Sequence, residues 1–141
     1  MKKKFVVLLL AVVCLFSAVG VRGYAAEPRA SAQIASYGAG ISWSSDGRLE
    51  IRFTIQGTSA NMYALGASSV VVQRLSGSNW VSEYTFNIRD YPKLQASNTN
   101  YHALVIGYSP RYSGASYRAM VFFYARNSAG TDTAIKTTNA V

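Results

Sequence analysis

The chain has one cysteine and one histidine among its 141 residues. Cys14 lies in the apolar run near the N terminus, so the rest of the chain can form no disulfide. His102 alone cannot supply a zinc site of the usual kind, which takes three or four protein ligands. Nucleophilic catalysis needs an activated nucleophile with a base in reach, and the sequence shows no such pair. We expect His102, which lies in a predicted strand, to be structural or solvated.

Carboxylates are scarce as well, with six Asp and Glu in total. They form no Asp-rich calcium loop, and no glycine-rich phosphate loop is present. Glycosidases need two facing carboxylates, but Glu50 and Glu83 lie on different predicted strands and are both expected to face solvent. Asp132, after a turn, leaves a weak calcium site open. We therefore predict a protein that is not an enzyme, with no cofactor and no metal site.

Residues 1–25 have the composition of a secretory signal peptide. Three lysines, Lys2 to Lys4, precede the apolar run from Phe5 to Phe16, which is shorter than the roughly 20 residues of a spanning helix. Small residues at 23 and 25 favour cleavage after Ala25, with cleavage after Gly20 as the alternative. The sequence thus predicts secretion of residues 26–141 as a single domain.

No membrane anchor is expected on the exported part. A lipoprotein signal needs a small residue before the cysteine, and Val13 stands before Cys14. No second apolar stretch is long enough to span a bilayer. We expect an extracellular protein, at most loosely associated with the cell envelope, with no stable membrane insertion.

The net charge of +8 falls to +4 once the signal peptide is removed, because four of the 14 basic residues are Lys2, Lys3, Lys4 and Arg22. The remaining arginines are spaced along the chain and form no basic stripe of the kind that nucleic-acid binding requires. The expected partner is therefore a protein or a cell-surface polymer rather than a nucleic acid.

Alternation with a period of two dominates the exported part. In the clearest strand, residues 49–55, apolar and polar side chains alternate, and Asp46-Gly47 before it is a hairpin-turn pair. Residues 41–44 are its expected partner, 56–66 are expected to form a loop, and 87–100 an irregular crossing. The other predicted strands are 31–37, 69–75, 80–86, 101–108, 117–126 and 131–138. About seven strands predict an all-β, immunoglobulin-like antiparallel sandwich, with a small closed barrel as the alternative.

Aromatic residues are abundant, with ten tyrosines and two tryptophans. We assign Trp43 and Trp80 to the core. Loops at the ends of a sandwich commonly carry binding residues, and the segment from Tyr108 to Arg118 mixes aromatic and basic groups. The residues that we predict to bind a partner are Tyr63, Tyr91, Tyr108, Arg111, Tyr112, Tyr117 and Arg118.

One segment resembles a known family. Residues 125–130, Ala-Arg-Asn-Ser-Ala-Gly, follow an alternating strand and are similar to the penultimate strand and turn of fibronectin type III domains. The strand tyrosine, Tyr117, falls two positions earlier than in that pattern. The layout also resembles small secreted bacterial proteins of unknown function. The resemblance implies a sandwich fold and brings no activity.

Two functions remain open from the sequence. The first is an exported, non-catalytic module that binds a protein or a cell-envelope component. The second is a lectin-like, carbohydrate-binding domain that uses loop aromatics, which exposure of the aromatic side chains would favour.

Overall fold

A computed structural model describes residues 31–141. The predicted signal peptide, both cleavage sites and Cys14 lie outside the described residues. Within residues 31–141, no helix has the length and apolar character needed to cross a membrane. Regular structure there is β-strand, apart from one turn of 3-10 helix at Pro92–Leu94.

In the part of the chain that the structure describes, eight strands form two antiparallel sheets. The strands are β1 (Ile34–Trp43), β2 (Leu49–Gly57), β3 (Ala64–Ser76), β4 (Asn79–Asn87), β5 (Gln95–Ala96), β6 (Tyr101–Tyr108), β7 (Tyr117–Asn127) and β8 (Gly130–Thr137). The smaller sheet has the order β1-β2-β6, and the larger has the order β4-β3-β7-β8 with β5 also paired to β3. The arrangement is consistent with the predicted all-β sandwich.

Most of the predicted strands and turns are confirmed. Strands β1 and β2 form the hairpin expected around Asp46-Gly47, and β3 and β4 form the second hairpin. Two expectations are wrong in detail. The strands predicted at 31–37 and 41–44 are one continuous strand, β1, which begins at Ile34 and ends at Trp43. The loop expected at 56–66 is shorter, because β2 ends at Gly57 and β3 begins at Ala64.

The core lies between the two sheets, where the alternating strands β2 and β7 supply its centre. Ile51, Phe53 and Ile55 on β2 are buried, as are Val121 and Phe123 on β7. The rings of Phe53 and Phe123 meet edge to face with centroids 5.8 Å apart. Burial of these apolar side chains is the main source of stability in a domain without disulfides.

Neither tryptophan joins the core, so that prediction is wrong. Trp43, the last residue of β1, is 40% exposed. Trp80, near the start of β4, is half-buried beneath the guanidinium of Arg118, which lies 4.3 Å from its ring centroid. Trp80 lies beside Arg118 on the outer face of the larger sheet, and Trp43 ends β1 with its ring edge-on to that of Tyr117, 5.9 Å away between centroids.

The outer faces of the two sheets differ. On β2 the outward positions carry Glu50, Arg52 and Thr54, whereas on β7 they include the half-buried side chains of Met120 and Phe122. The polar outer face therefore belongs to the smaller sheet, and the strand β7 is apolar on both of its faces.

Gly66 on β3 offers a test of how closely β3 packs against the chain at Leu94. Its φ is +155°, a value that L side chains rarely adopt, and a Cβ there would overlap the carbonyl oxygen of Leu94. We expect Gly66→Ala to lower the free energy of unfolding by about 2–4 kcal/mol, measured by urea denaturation. Gly40→Ala is the matched control, because a Cβ at that position meets nothing within 4 Å. Equal stability of the two variants would contradict the packing described.

Candidate functional site

A β-bulge turns Glu83 toward the space between the sheets. Along the β3–β4 ladder Val72 lies opposite Tyr84 and Gln73 lies opposite Ser82, so Glu83 is the extra residue with no partner. A bulge changes the face on which a side chain emerges. The prediction that Glu83 faces solvent is therefore wrong: its side chain is only 12% exposed.

The Glu83 carboxylate joins both sheets and the loop between β6 and β7. Its Oε2 atom accepts a hydrogen bond from Nε of Arg74 on β3, 3.0 Å away. Its Oε1 atom accepts hydrogen bonds from the Tyr108 hydroxyl at the end of β6, at 2.9 Å, and from the backbone N–H of Arg111, at 3.2 Å. We call Glu83, Arg74, Tyr108 and Tyr117 the Glu83 cluster.

These contacts keep Glu83 ionised. Burial by itself raises the pKa of Glu83, but the hydrogen bonds from the Arg111 N–H, the Tyr108 hydroxyl and Arg74, together with the Arg74 charge, outweigh it. The pKa of Glu83 therefore lies below its ordinary value of 4.5. Burial and the hydrogen bond to the Glu83 carboxylate raise the pKa of Tyr108 to about 12, so Tyr108 stays a hydrogen-bond donor.

Tyr117 holds the loop that follows β6. The loop spans residues 109–116, and we call it the Tyr112 loop. Tyr117 is fully buried, and its hydroxyl donates to the carbonyl oxygen of Tyr112 at 3.0 Å. The Tyr112 N–H approaches the same hydroxyl at 3.4 Å, and Glu83 Oε2 lies 3.4 Å from it. Both backbone groups of Tyr112 are thus fixed by one buried side chain.

The Tyr112 loop displays an aromatic and a basic side chain. Tyr112 is 48% exposed, and Arg111 is exposed as well. The Arg74 guanidinium lies 4.2 Å from the centroid of the Tyr112 ring, a cation–π contact that fixes its inner face. Beside the loop, Tyr84 stacks on Tyr108 with centroids 5.6 Å apart. The result is an aromatic surface held from below by the Glu83 cluster.

The structure brings together four of the seven residues predicted to bind: Tyr108, Arg111, Tyr112 and Tyr117. Only Arg111 and Tyr112 of these present their side chains openly to solvent. Tyr117 is fully buried, so its role is to position Tyr112 rather than to contact a partner.

The other three predicted residues lie elsewhere. Tyr63 is exposed just before β3. Tyr91 is partly buried, with its ring 5.7 Å from that of Phe86. Arg118 lies on the outer face of the larger sheet, where its Nε atom donates to Gln73 at 2.8 Å. Within residues 31–141, no side-chain hydrogen bond, ion pair or ring contact joins any of the three to the Tyr112 loop.

Sequence reasoning missed Glu83 and Arg74. The signal available was a pair of opposite charges on the two arms of the predicted β3–β4 hairpin. Cross-strand pairing of opposite charges stabilises such hairpins, but the register that joins these two residues depends on a bulge that the alternation does not reveal.

His102 and Asp132 have structural contacts. The His102 ring packs against Phe53 with centroids 5.7 Å apart, and its Nε2 atom lies 2.9 Å from the Lys93 carbonyl oxygen. Asp132 accepts a hydrogen bond from the backbone N–H of Gln33 at 2.7 Å. Within residues 31–141, no three His, Cys, Asp or Glu side chains are grouped so that they could hold a metal ion.

Removal of the Tyr117 hydroxyl tests how the loop is held. Tyr117→Phe keeps the buried ring and loses the bond to the Tyr112 carbonyl, so we expect a loss of about 1–2 kcal/mol in unfolding free energy. Amide exchange at Tyr112 should accelerate. Tyr124→Phe is the control, because the Tyr124 hydroxyl forms no hydrogen bond with another residue of the 31–141 segment. A Tyr117→Phe protein with unchanged exchange at Tyr112 would show that the hydroxyl does not hold the loop.

The lowered pKa of Glu83 predicts how the free energy of unfolding depends on pH. Its folded pKa is depressed, so its stabilising contribution is present above its ordinary pKa of 4.5 and is lost as the pH falls through the folded pKa. We expect Glu83→Gln to cost about 1–3 kcal/mol at neutral pH, because Arg74 is left half-buried without its charge partner.

The difference between wild type and Glu83→Gln should shrink below pH 4.5 in denaturant titrations. Glu50→Gln is the control, because Glu50 pairs with the largely exposed Arg52 and exposed ion pairs contribute little. A difference that stays constant down to low pH would rule out an ionised Glu83 as its source.

Comparison with known proteins adds no assignment: no protein-family model, no curated protein and no solved structure matches this chain.

Proposed function

We propose that this chain is an exported, non-catalytic β-sandwich module that binds a protein or a cell-envelope component through the Tyr112 loop. The observation that carries the proposal is the way in which Tyr112 is presented. Its side chain is about half exposed, while its backbone N–H and C=O both contact the buried Tyr117 hydroxyl. The exported location rests on the signal peptide that the sequence predicts.

A fixed loop lowers the cost of binding. Ordering a flexible loop and its side chains at an interface consumes part of the binding free energy. Here the Arg111 N–H is bound to Glu83 and the Tyr112 ring lies against Arg74 before any partner arrives. Tyrosine and arginine are also among the residues that contribute most to binding at protein interfaces. The loop therefore suits recognition better than it suits chemistry.

The charge on the loop favours an anionic group in the partner. The ion pairs within residues 31–141 are Arg52 with Glu50 and Arg74 with Glu83, so the exposed Arg111 guanidinium pairs with no carboxylate of that segment. An acidic protein surface or an anionic cell-surface polymer would supply such a group. Tyr112 beside it would add apolar contact area.

We further propose an immunoglobulin-like fold of the fibronectin type III kind. If the seven long strands are lettered A, B, C, C′, E, F and G in chain order, the sheets read A-B-E and C′-C-F-G, which is the strand order of fibronectin type III domains. Tyr117 at the start of β7 bonds to backbone five residues upstream, which is the geometry of the tyrosine corner. Both features support the proposal alongside the sequence resemblance.

Carbohydrate binding is the second candidate. It is favoured by the exposure of Trp43 and Tyr112. Both lie next to Tyr117: the Trp43 ring is 5.9 Å from the Tyr117 ring, and the Tyr112 backbone bonds to the Tyr117 hydroxyl. Exposed aromatic rings at one end of a sandwich could stack on sugars. The two candidates differ in partner and share the same end of the molecule.

The test uses residues 26–141, isolated cell envelopes of the producing organism and a glycan array. We expect envelope binding by the wild type and at least tenfold weaker binding by the double variant Arg111→Ala/Tyr112→Ala, because both displayed side chains are gone. The matched control, Tyr63→Ala/Arg126→Ala, removes an exposed tyrosine and an exposed arginine away from the loop and should bind normally.

Three outcomes decide between the possibilities. Equal binding by the loop variant and the control would refute the Tyr112 loop as the binding surface. Glycan-array signal that disappears in the loop variant would favour carbohydrate binding over a protein partner. Hydrolytic activity of the wild type that is lost in His102→Ala would overturn the non-catalytic assignment.

A further inference from the structure

Within residues 31–141, the four long strands at the edges of the two sheets are not equally protected. Natural edge strands commonly carry bulges, charged residues or proline, which prevent pairing with another chain. β1 has a bulge between Ile34 and Ser36, and β4 has the bulge at Glu83. β8 carries Asp132 and Lys136. β6, with the sequence YHALVIGY, has no charged residue, no proline and no bulge.

The register shows which backbone groups of β6 are free. The N–H of Gly57 donates to the carbonyl of Asn100 at 2.9 Å, and these two residues continue the β2–β6 ladder. Hydrogen-bonded pairs in an antiparallel ladder recur every second residue. His102, Leu104, Ile106 and Tyr108 therefore bond to β2, and the residues between them point their N–H and C=O groups away from it.

Tyr101 confirms this direction. Its N–H and C=O, which point away from β2, are both bonded to the Thr99 hydroxyl at 3.2 and 3.0 Å. Within residues 31–141, no side chain forms a hydrogen bond with the outward N–H and C=O groups of Ala103, Val105 and Gly107. All three residues are exposed, Val105 at 54%.

We propose that the β6 edge pairs with the β6 edge of a second copy of this chain, antiparallel about a twofold axis at Val105. In that register Val105 faces Val105 of the second copy, and Ala103 faces Gly107 of the second copy. The free groups of the three residues then match as hydrogen-bonded pairs and form six N–H···O=C bonds. The two smaller sheets become one six-stranded sheet.

The side chains around this edge fit a second copy. Of the nine most exposed large hydrophobic residues in the 31–141 segment, five lie on this side of the sandwich: Tyr101 and Val105 on β6, and Val81, Tyr84 and Ile88 on or directly after β4. β4 and β6 are neighbours across the gap between the sheets, as the stacking of Tyr84 on Tyr108 shows. A twofold axis brings apolar groups together here and opposes no like charges on β6 itself.

The size of the surface sets the expected strength. A strand of eight residues is about 27 Å long, and two layers with their side chains are about 20 Å deep, which gives about 1,000 Å² in total for both copies. That is just below the usual range for specific interfaces. We expect a reversible dimer with a dissociation constant between about 10 and 100 µM.

Sedimentation equilibrium of residues 26–141 over that concentration range tests the proposal. Val105→Pro removes one outward N–H without touching a bond to β2, and Val105→Lys adds a charge to the edge. We expect both to weaken dimerisation at least tenfold. Val105→Thr, which keeps the donor, and Thr133→Lys, which adds the same charge on β8, should dimerise like the wild type.

Hydrogen exchange identifies the dimer surface. Raising the wild-type concentration should slow exchange at Ala103, Val105 and Gly107, and leave Leu104 and Ile106 unchanged because these two already bond to β2. A wild type that stays monomeric across the range, or a dimer that survives Val105→Lys with no protection at the three amides, would overturn the proposal. The Tyr112 loop variants should dimerise normally, so the loop and edge proposals fail independently.

Discussion

The carboxylate of Glu83 is the interaction on which the loop end of this sandwich depends. It bonds to a side chain of the larger sheet, Arg74, a side chain of the smaller sheet, Tyr108, and the backbone of the loop between β6 and β7. Burying the charge of Glu83, whose side chain is only 12% exposed, costs free energy. Several donors aimed at its two oxygens offset that cost, and their common target fixes them relative to one another.

This arrangement makes the displayed residues and the buried ones a single unit. Tyr117 supplies the packing and the hydroxyl that hold the Tyr112 backbone, and Arg74 contacts both Glu83 and the Tyr112 ring. A domain without disulfides in its described part has to obtain rigid loops from such contacts. The strand β6 takes part twice: its inward side chain Tyr108 completes the cluster, while its outward backbone forms the free edge.

Much of the fold could be predicted from the sequence, because alternation with a period of two records which side of a strand is buried. Residues 49–55 show this, since the four apolar positions are the ones that are buried. The pattern also placed the Asp46-Gly47 hairpin. It failed where a single extra residue reverses the alternation: Glu83 reads as an outward residue, and only the bulge brings it inside.

The site was predicted in part for a related reason. The aromatic and basic residues between positions 108 and 118 drew attention to the Tyr112 loop, but composition does not distinguish a displayed tyrosine from a buried one. Tyr112 and Tyr117 differ in this respect because Tyr117 begins a strand whose alternate residues face the core. Trp43 and Trp80 were expected inside because they are large and aromatic. Trp43 ends β1 and stays 40% exposed, and Trp80 lies beyond the β4 bulge, beside Arg118 on the outer face of the larger sheet.

The most direct test of the role of Glu83 is an NMR titration of its side-chain carboxyl carbon in the folded protein. A pKa below 4.5 is expected, because the donors from Arg111, Tyr108 and Arg74 favour the charged form more than burial disfavours it. A pKa at or above 4.5 would mean that these donors do not converge on an ionised carboxylate, and would contradict the account of how the Tyr112 loop is held.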